Sequence, residues 1–152
     1  MIGWNAMTSK WVFRAAGAGL LFGTCIFAVG RIAAQEQTTP PPWVAPEDAK
    51  KMKNPIPATQ ENLAAGEQLF SDNCVLCHGE KGVGDGPGAK TIKVKPANFT
   101  DPKVQAEPDG ALFWKMSNGR GPMPAWKDVL TDEERWKLVN YIRKLGKDAA
   151  KK

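Results

Sequence analysis

The chain has 152 residues, a length that favours one folded domain with additional segments at its ends. Its 42% hydrophobic and 24% charged residues are typical of a globular protein and exclude a wholly disordered or collagen-like chain. The net charge of +5 comes mainly from the first 34 residues, because residues 59–145 hold twelve basic and twelve acidic side chains. A neutral folded part without a concentrated basic face argues against a nucleic-acid partner.

A sixteen-residue run without charge occupies residues 15–30. The basic start at Lys10 and Arg14 and the small residues Ala33 and Ala34 are typical of an export signal, whereas Arg31 after the run favours retention of the segment. We therefore expect residues 1–34 to be a signal peptide cleaved before Gln35 or an uncleaved membrane anchor. Either alternative places the rest on the periplasmic side of a bacterial inner membrane, as a soluble or a membrane-tethered protein. Cys25 within the run is interpreted as a small buried hydrophobic residue.

Residues 35–58 contain six of the twelve prolines in the chain. Proline removes backbone donors and favours extended backbone, so this composition predicts a semi-rigid tether without helices or central strands. The alternative is an arm that packs on the domain and is held there by Trp43.

The segment from 74 to 78 reads Cys74-Val75-Leu76-Cys77-His78. On one helical turn, positions i, i+3 and i+4 share a face, so the pattern directs two thiols and one imidazole to the same side. This spacing is typical of covalent c-type haem, in which the thiols bind the vinyl groups and the imidazole ligates iron.

Two other uses of this cysteine pair are disfavoured by the residues available. A thioredoxin-like redox pair requires alternating strands and helices, and the sequence does not predict them. A structural zinc site requires four ligands, whereas His78 is the only histidine and the third cysteine, Cys25, lies in the leader. Haem c is therefore the predicted cofactor, bound by Cys74, Cys77 and His78.

A sixth iron ligand is expected to be methionine, because the chain has no second histidine. Met123 lies in a loop between Pro122 and Pro124, which limit the conformations of the chain around a weak thioether ligand. Met116 lies in a predicted helix and is interpreted as core packing. Met123 is therefore predicted to be the sixth ligand.

Helical patterns account for most of residues 59–146. The segment 61–70 places Gly66 and Phe70 on one face, and a second helix is expected from Pro108 to Gly119. Thr131 and Glu134 form a capping box before a third helix, which Gly146 is expected to end. In this third helix, the apolar stripe is Leu138, Tyr141, Ile142 and Leu145. Gly66 should let the first and third helices approach, with Phe70 against Tyr141.

Five glycines lie within residues 79–88. A phosphate-binding loop would require a Lys-Ser or Lys-Thr pair after them, and none follows. We interpret the segment as a loop against the edge of the cofactor.

Taken together, these residues resemble class I mono-haem c-type cytochromes. The resemblance covers residues 59–145 and rests on the Leu63–Phe70 segment, CVLCHG, MPAW and WKLVNYIRKL. It implies an all-α fold of the class I cytochrome c type, with residues 59–146 as the haem domain and residues 147–152 as a basic tail. It also implies a proline carbonyl that accepts a hydrogen bond from His78, for which Pro87 and Pro96 are both candidates.

The expected function is single-electron transfer between Fe(II) and Fe(III) in a respiratory or photosynthetic chain, without enzymatic activity of its own. The protein would act as a tethered shuttle or as the cytochrome subunit of a membrane complex. Its redox partners would be a membrane oxidoreductase complex, an oxidase or a reaction centre. The alternative is a haem enzyme or ligand-binding protein with a labile sixth position.

Lysines near 90–95 either steer acidic partners or are ordinary solvated residues.

Overall fold

The computed structural model describes residues 41–151. The predicted leader at 1–34, Cys25 and the first part of the predicted tether lie outside the described residues. Six α-helices and two 3₁₀ turns make up the described part, which forms no β-strand. In chain order they are α1 (Glu47–Lys51), α2 (Gln60–Asn73), α3 (Val75–His78), a 3₁₀ turn (Pro87–Thr91), α4 (Pro102–Gln105), α5 (Asp109–Asn118), a second 3₁₀ turn (Trp126–Asp128) and α6 (Asp132–Ala149). The all-α prediction is confirmed, and none of the helices from 41 to 151 has the length and apolarity needed to cross a bilayer.

Side-chain caps fix where the two long helices begin. The Thr59 hydroxyl accepts a hydrogen bond from the Asn62 backbone at the start of α2. At the start of α6, Thr131 and Glu134 form the predicted capping box in both directions. Each cap satisfies backbone donors that the first turn of a helix leaves without partners.

Helices α2 and α6 make the most extensive helix–helix contact of the described chain. A Cβ atom at Gly66 would lie 2.4 Å from the Lys137 carbonyl oxygen, so only glycine permits this approach. The Phe70 and Tyr141 rings lie beside this contact, with centroids 5.3 Å apart. Both the close approach and the aromatic pair confirm the sequence prediction.

The hydrophobic core lies between α2, α5 and α6. Phe70, Leu138 and Val139 are its largest fully buried side chains. Full burial of an aliphatic or aromatic side chain contributes about 1.5–3 kcal/mol. The predicted α6 stripe is buried at Leu138, Tyr141 and Ile142 and partly buried at Leu145.

Residues 41–57, which we call the arm, differ from the predicted tether. Contrary to the prediction of no helix, α1 forms directly after Pro46, which as the N-cap residue accepts from Lys50 and needs no N–H of its own. Ala45 and Ala49 are buried in a small cluster with Ala111 of α5. The arm is therefore packed on the domain rather than extended, which corresponds to the alternative interpretation.

The predicted end of the last helix at Gly146 is also wrong. Helix α6 continues to Ala149, so the first residues of the predicted basic tail are helical. A Cβ atom at Gly146 would lie 2.3 Å from the Gln105 side chain. Close packing against Gln105, rather than helix termination, is what requires glycine here.

Candidate functional site

The Cys74–His78 motif forms a single helical turn at the end of α2. The His78 backbone N–H donates to the Cys74 carbonyl at 2.8 Å, and the Cys77 N–H donates to the same oxygen at 3.1 Å. Gly79, with φ +74°, ends the turn. Both cysteines are free thiols and half-buried. The three predicted haem-binding residues of this motif therefore lie on one turn.

The His78 ring is buried, with 8% of the residue exposed, and its orientation is fixed by two neighbours. Its Nδ1 lies 3.0 Å from the Ala97 carbonyl oxygen, and its ring stacks on Phe99 with centroids 4.3 Å apart. Nδ1 therefore carries the proton and Nε2 is the nitrogen left for a metal.

The hydrogen bond to Ala97 corrects the prediction that Pro87 or Pro96 accepts from His78. Pro96 directly precedes the accepting residue, but its own carbonyl lies against Gly84. The stacking of Phe99 on His78 was not predicted from the sequence, because no local pattern shows which aromatic side chain of the loop lies next to the histidine.

The glycine-rich loop is bonded to the backbone of the motif. The Gly84 N–H donates to the His78 carbonyl at 2.8 Å, and the Gly86 N–H donates to the Cys77 carbonyl at 3.2 Å. Gly84 has φ +81°, and a Cβ atom there would lie 2.5 Å from the Pro96 carbonyl oxygen. Glycine thus allows the loop to fold tightly around the back of the histidine.

Burial dominates the electrostatics of the motif. It raises the pKa of the Cys74 thiol to about 12, with a smaller contribution from the neighbouring Cys77. Burial also lowers the pKa of His78 below its usual value, against an opposing effect of the hydrogen bond to Ala97. A neutral imidazole is the form that ligates metals.

The two candidate methionines lie in different environments. Met116 is 6% exposed in the α5 part of the core. Met123 is half-buried in the loop between α5 and the second 3₁₀ turn, where it packs against the core from its edge. An isolated antiparallel bridge joins Met123 to Arg120. Met116 therefore contributes packing, as predicted.

The donor set fits a covalent haem better than a bare metal ion. No group of three or more His, Cys, Asp or Glu side chains within residues 41–151 is arranged to hold a metal. Two free thiols next to an imidazole with fixed Nδ1 match the requirements of thioether attachment and axial ligation. The Cys-X-X-Cys-His arrangement with a buried His78 indicates one covalent haem c.

Comparison with known proteins agrees with this geometry. Residues 61–142 match the family described as "Cytochrome C oxidase, cbb3-type, subunit III". Chloroplastic cytochrome c6 of Chlamydomonas reinhardtii is 34% identical over 95 residues, which are 61% of this chain and 61% of that protein. Cytochrome c6 of Leptolyngbya boryana is 38% identical over 81 residues, covering 53% of this chain and 89% of the relative.

Two larger proteins contain a similar domain. The cbb3-type cytochrome c oxidase subunit FixP of Bradyrhizobium diazoefficiens is 34% identical over 87 residues, which are 56% of this chain but 28% of FixP. A chain of the Kuenenia stuttgartiensis reducing HAO-like protein complex superposes with a TM-score of 0.56 and 29% identity over 62% of this chain and 49% of that one. The chain belongs to the family described as cytochrome c oxidase, cbb3-type, subunit III, and is a class I mono-haem c-type cytochrome.

Proposed function

We propose that this protein is a one-electron carrier whose haem is attached through Cys74 and Cys77 and ligated by His78 and Met123. The observation that carries the proposal is the buried His78 ring on the same helical turn as two free cysteines, with Nδ1 bonded to Ala97. The similarity to cytochromes c6 and to FixP supports the same function.

A haem held by these residues supplies a one-electron Fe(III)/Fe(II) couple. The chain's own contribution on the histidine side is orientation. The hydrogen bond from His78 Nδ1 to Ala97 holds the ring plane and increases the basicity of the ligating nitrogen. Stacking on Phe99 restricts rotation of the ring and keeps water from one of its faces.

On the opposite side, Met123 would contribute a neutral, soft thioether. Such a donor stabilises the reduced state and raises the reduction potential relative to harder ligands. Pro122 and Pro124 restrict the backbone on both sides of Met123, and the half-buried position keeps the side chain against the core. These features support Met123 rather than Met116 as the sixth ligand.

We further propose that the carrier passes electrons to a membrane oxidoreductase complex, such as an oxidase or reaction centre, on the periplasmic side of the inner membrane. FixP is itself named as a subunit of a cbb3-type cytochrome c oxidase. The exposed Lys90, Lys93 and Lys95 offer positive charge to an acidic surface on such a partner. In this proposal the protein transfers electrons and does not catalyse a reaction of its own.

The mode of association is testable on the native protein. Membranes would be extracted with mild detergent and the haem-containing fractions separated by size. Co-migration with integral-membrane subunits would identify a subunit of a complex, and migration at the mass of the single chain would identify a shuttle. N-terminal sequencing of the same fraction would determine whether residues 1–34 are retained.

The ligand assignment is tested by Met123→Ala. We expect this variant to keep its covalent haem but to lose the long-wavelength sulfur–iron absorption band, to have a lower potential and to bind carbon monoxide when reduced. Met116→Leu is the matched control, because it replaces a buried methionine with a side chain of similar volume and should keep the wild-type spectrum.

An unchanged spectrum in Met123→Ala together with a changed one in Met116→Leu would move the sixth ligand to Met116. Carbon monoxide binding by the reduced wild-type protein would instead favour the ligand-binding alternative. Haem-free protein from a cell that performs covalent haem attachment would contradict the proposal as a whole.

A further inference from the structure

The Met123 loop, residues 119–125, is held together mainly through Arg120. The Arg120 N–H donates to the Met123 carbonyl and the Met123 N–H donates to the Arg120 carbonyl, both at 3.1 Å. The tip of the loop is exposed, and a Cβ atom at Gly121 would meet no atom within 4 Å. The position of Met123 is thus tied to the position of Arg120, with open space outside the tip.

The arm reaches this same arginine. The Arg120 guanidinium donates to the Pro41 carbonyl oxygen at 2.9 Å and lies 5.0 Å from the centroid of the Trp43 ring. The Lys115 ammonium lies 5.9 Å from the same ring. Trp43 is half-buried while its neighbour Val44 is exposed. Trp43 therefore contacts two cations, one on α5 and one in the Met123 loop.

The arm downstream of Trp43 is anchored on the domain. Ala45 and Ala49 are buried against Ala111. The Asn54 amide donates to the Trp136 carbonyl at 3.1 Å and to the Asn140 side chain at 2.9 Å. These contacts hold the arm on the domain, so that Trp43 stays next to Arg120.

We propose that Trp43 and Arg120 form a clasp that positions the Met123 loop and limits how readily Met123 leaves the haem iron. The inference rests on the proposed ligation by Met123. A thioether is a weak ligand, so the fraction of protein with Met123 released depends on how strongly the loop is held in its closed position. Arg120 binds the arm through its side chain and Met123 through its backbone, so it connects the two directly.

The size of the effect follows from the contacts in the clasp. One cation–π contact and one hydrogen bond at an exposed site together shift a two-state equilibrium by roughly 5- to 30-fold. Arg120→Ala removes both contacts and should raise the population of the open loop by about this factor, whereas Trp43→Ala leaves the bond to Pro41 and should raise it by about 2- to 5-fold. An external ligand that binds only the open form then gains apparent affinity by the same factor.

The experiment uses the full-length, haem-loaded, oxidised protein titrated with imidazole, with loss of the sulfur–iron band as the readout. Arg120→Ala should bind imidazole about 5- to 30-fold more tightly than wild type, and Trp43→Ala about 2- to 5-fold more tightly. Trp43→Phe keeps an aromatic face and should give an intermediate affinity. Val44→Ala, at an exposed neighbouring position of the arm, should behave as wild type.

Wild-type imidazole affinity in both alanine variants would overturn the clasp, even if those variants denature at lower temperature. Met123→Ala in the same titration separates the two proposals. If it loses the band while the clasp variants do not differ from wild type, ligation by Met123 stands and the clasp is wrong. If it keeps the band, the ligation itself is wrong. Should Trp43→Ala fail to load haem, the exposed Arg120→Ala carries the test.

Discussion

The two sides of the proposed haem site are built in different ways. On one side, residues 74–99 form a segment in which Gly84 and Gly86 donate to His78 and Cys77 of the motif, and Phe99 donates to Gly82 within the same loop. On the other side, two backbone hydrogen bonds between Arg120 and Met123 close the Met123 loop. The clasp joins this loop to the arm, which is far away in sequence. Histidine orientation is therefore determined within one continuous segment, whereas methionine position depends on residues far away in sequence.

This difference has a physical consequence for the two proposed ligands. A buried ring fixed by a hydrogen bond and by stacking has little freedom, so substitutions around it should mainly affect folding stability. A thioether on a loop with an exposed tip sits in a local equilibrium, so substitutions there should change ligand exchange more than stability. The following predictions test that division.

The largest effect is expected from Gly84→Ala. The variant places a Cβ atom 2.5 Å from the Pro96 carbonyl oxygen and forces alanine to a φ of +81°. Backbone strain and overpacking should together lower the free energy of unfolding by about 2–5 kcal/mol. Gly121→Ala in the Met123 loop is the matched control and should change it by less than about 0.5 kcal/mol.

Both glycine variants would be compared by urea denaturation of the haem-loaded protein, followed by far-ultraviolet circular dichroism. Equal losses of stability in the two variants would contradict the distinction between the two sides. A larger loss of stability in Gly121→Ala than in Gly84→Ala would show that the methionine side, and not the histidine side, is the more tightly packed.

A smaller loss is expected from Phe99→Leu. Phe99 is buried, stacks on His78 and meets Phe70 edge-on at 6.0 Å between centroids. Leucine fills less space and removes both aromatic contacts, so stability should fall by about 1–2 kcal/mol, measured by thermal denaturation. Val94→Ala, at an exposed position of the same segment, is the control. A loss no greater than in Val94→Ala would show that the stacking does not stabilise the histidine side.

The smallest effect is expected from Thr131→Ala. Loss of the Thr131 hydroxyl, the side-chain half of the capping box at the start of α6, should lower the free energy of unfolding by about 1 kcal/mol. Because this cap does not touch the Met123 loop, imidazole affinity should stay at the wild-type value. A parallel rise in imidazole affinity would show that the methionine side responds to global stability rather than to the clasp.

The same variant has a predictable pH dependence. Hydrogen bonds from the Thr131 backbone and side chain lower the pKa of the Glu134 carboxyl below its usual 4.5. A lowered pKa in the folded state means that this stabilisation is present above pH 4.5 and is lost as the pH falls through the folded value. Thr131→Ala keeps the backbone bond and loses the hydroxyl bond, so the stability difference between wild type and the variant should shrink in part from pH 7 to pH 3, as chemical denaturation at both values would show. A constant or growing difference would contradict the role assigned to Glu134.

Features that depend on local pattern were predictable from the sequence. The bounds of α5 follow from Pro108 before it and Gly119 after it, and the start of α6 follows from its capping box. The Gly66 contact was also predictable, because a glycine on the buried face of a helix marks a close approach. The Cys74–His78 spacing identifies its own cofactor chemistry, whereas the assignment of Met123 stays a prediction.

Features that depend on the path of the loops were not predictable. The choice of Ala97 over Pro87 or Pro96 depends on where the loop passes the histidine, and no residue type encodes a carbonyl direction. Gly146 has a local interpretation as a helix end, but its contact with Gln105 is tertiary. The bond from Arg120 to Pro41 joins residues 79 apart in sequence, and no periodic signal predicts such a pair.

The pairing of α2 with α6 also constrains the order of assembly. Phe70 and Gly66 find their main partners more than sixty residues later in the chain, beyond the entire loop region. Contacts of such long sequence separation form late, since loop closure must precede them. The cysteine turn follows α2 directly and needs no partner from α6 to form its own backbone bonds. A chain in which α6 has not yet docked would therefore leave this turn open to the haem that we propose it binds.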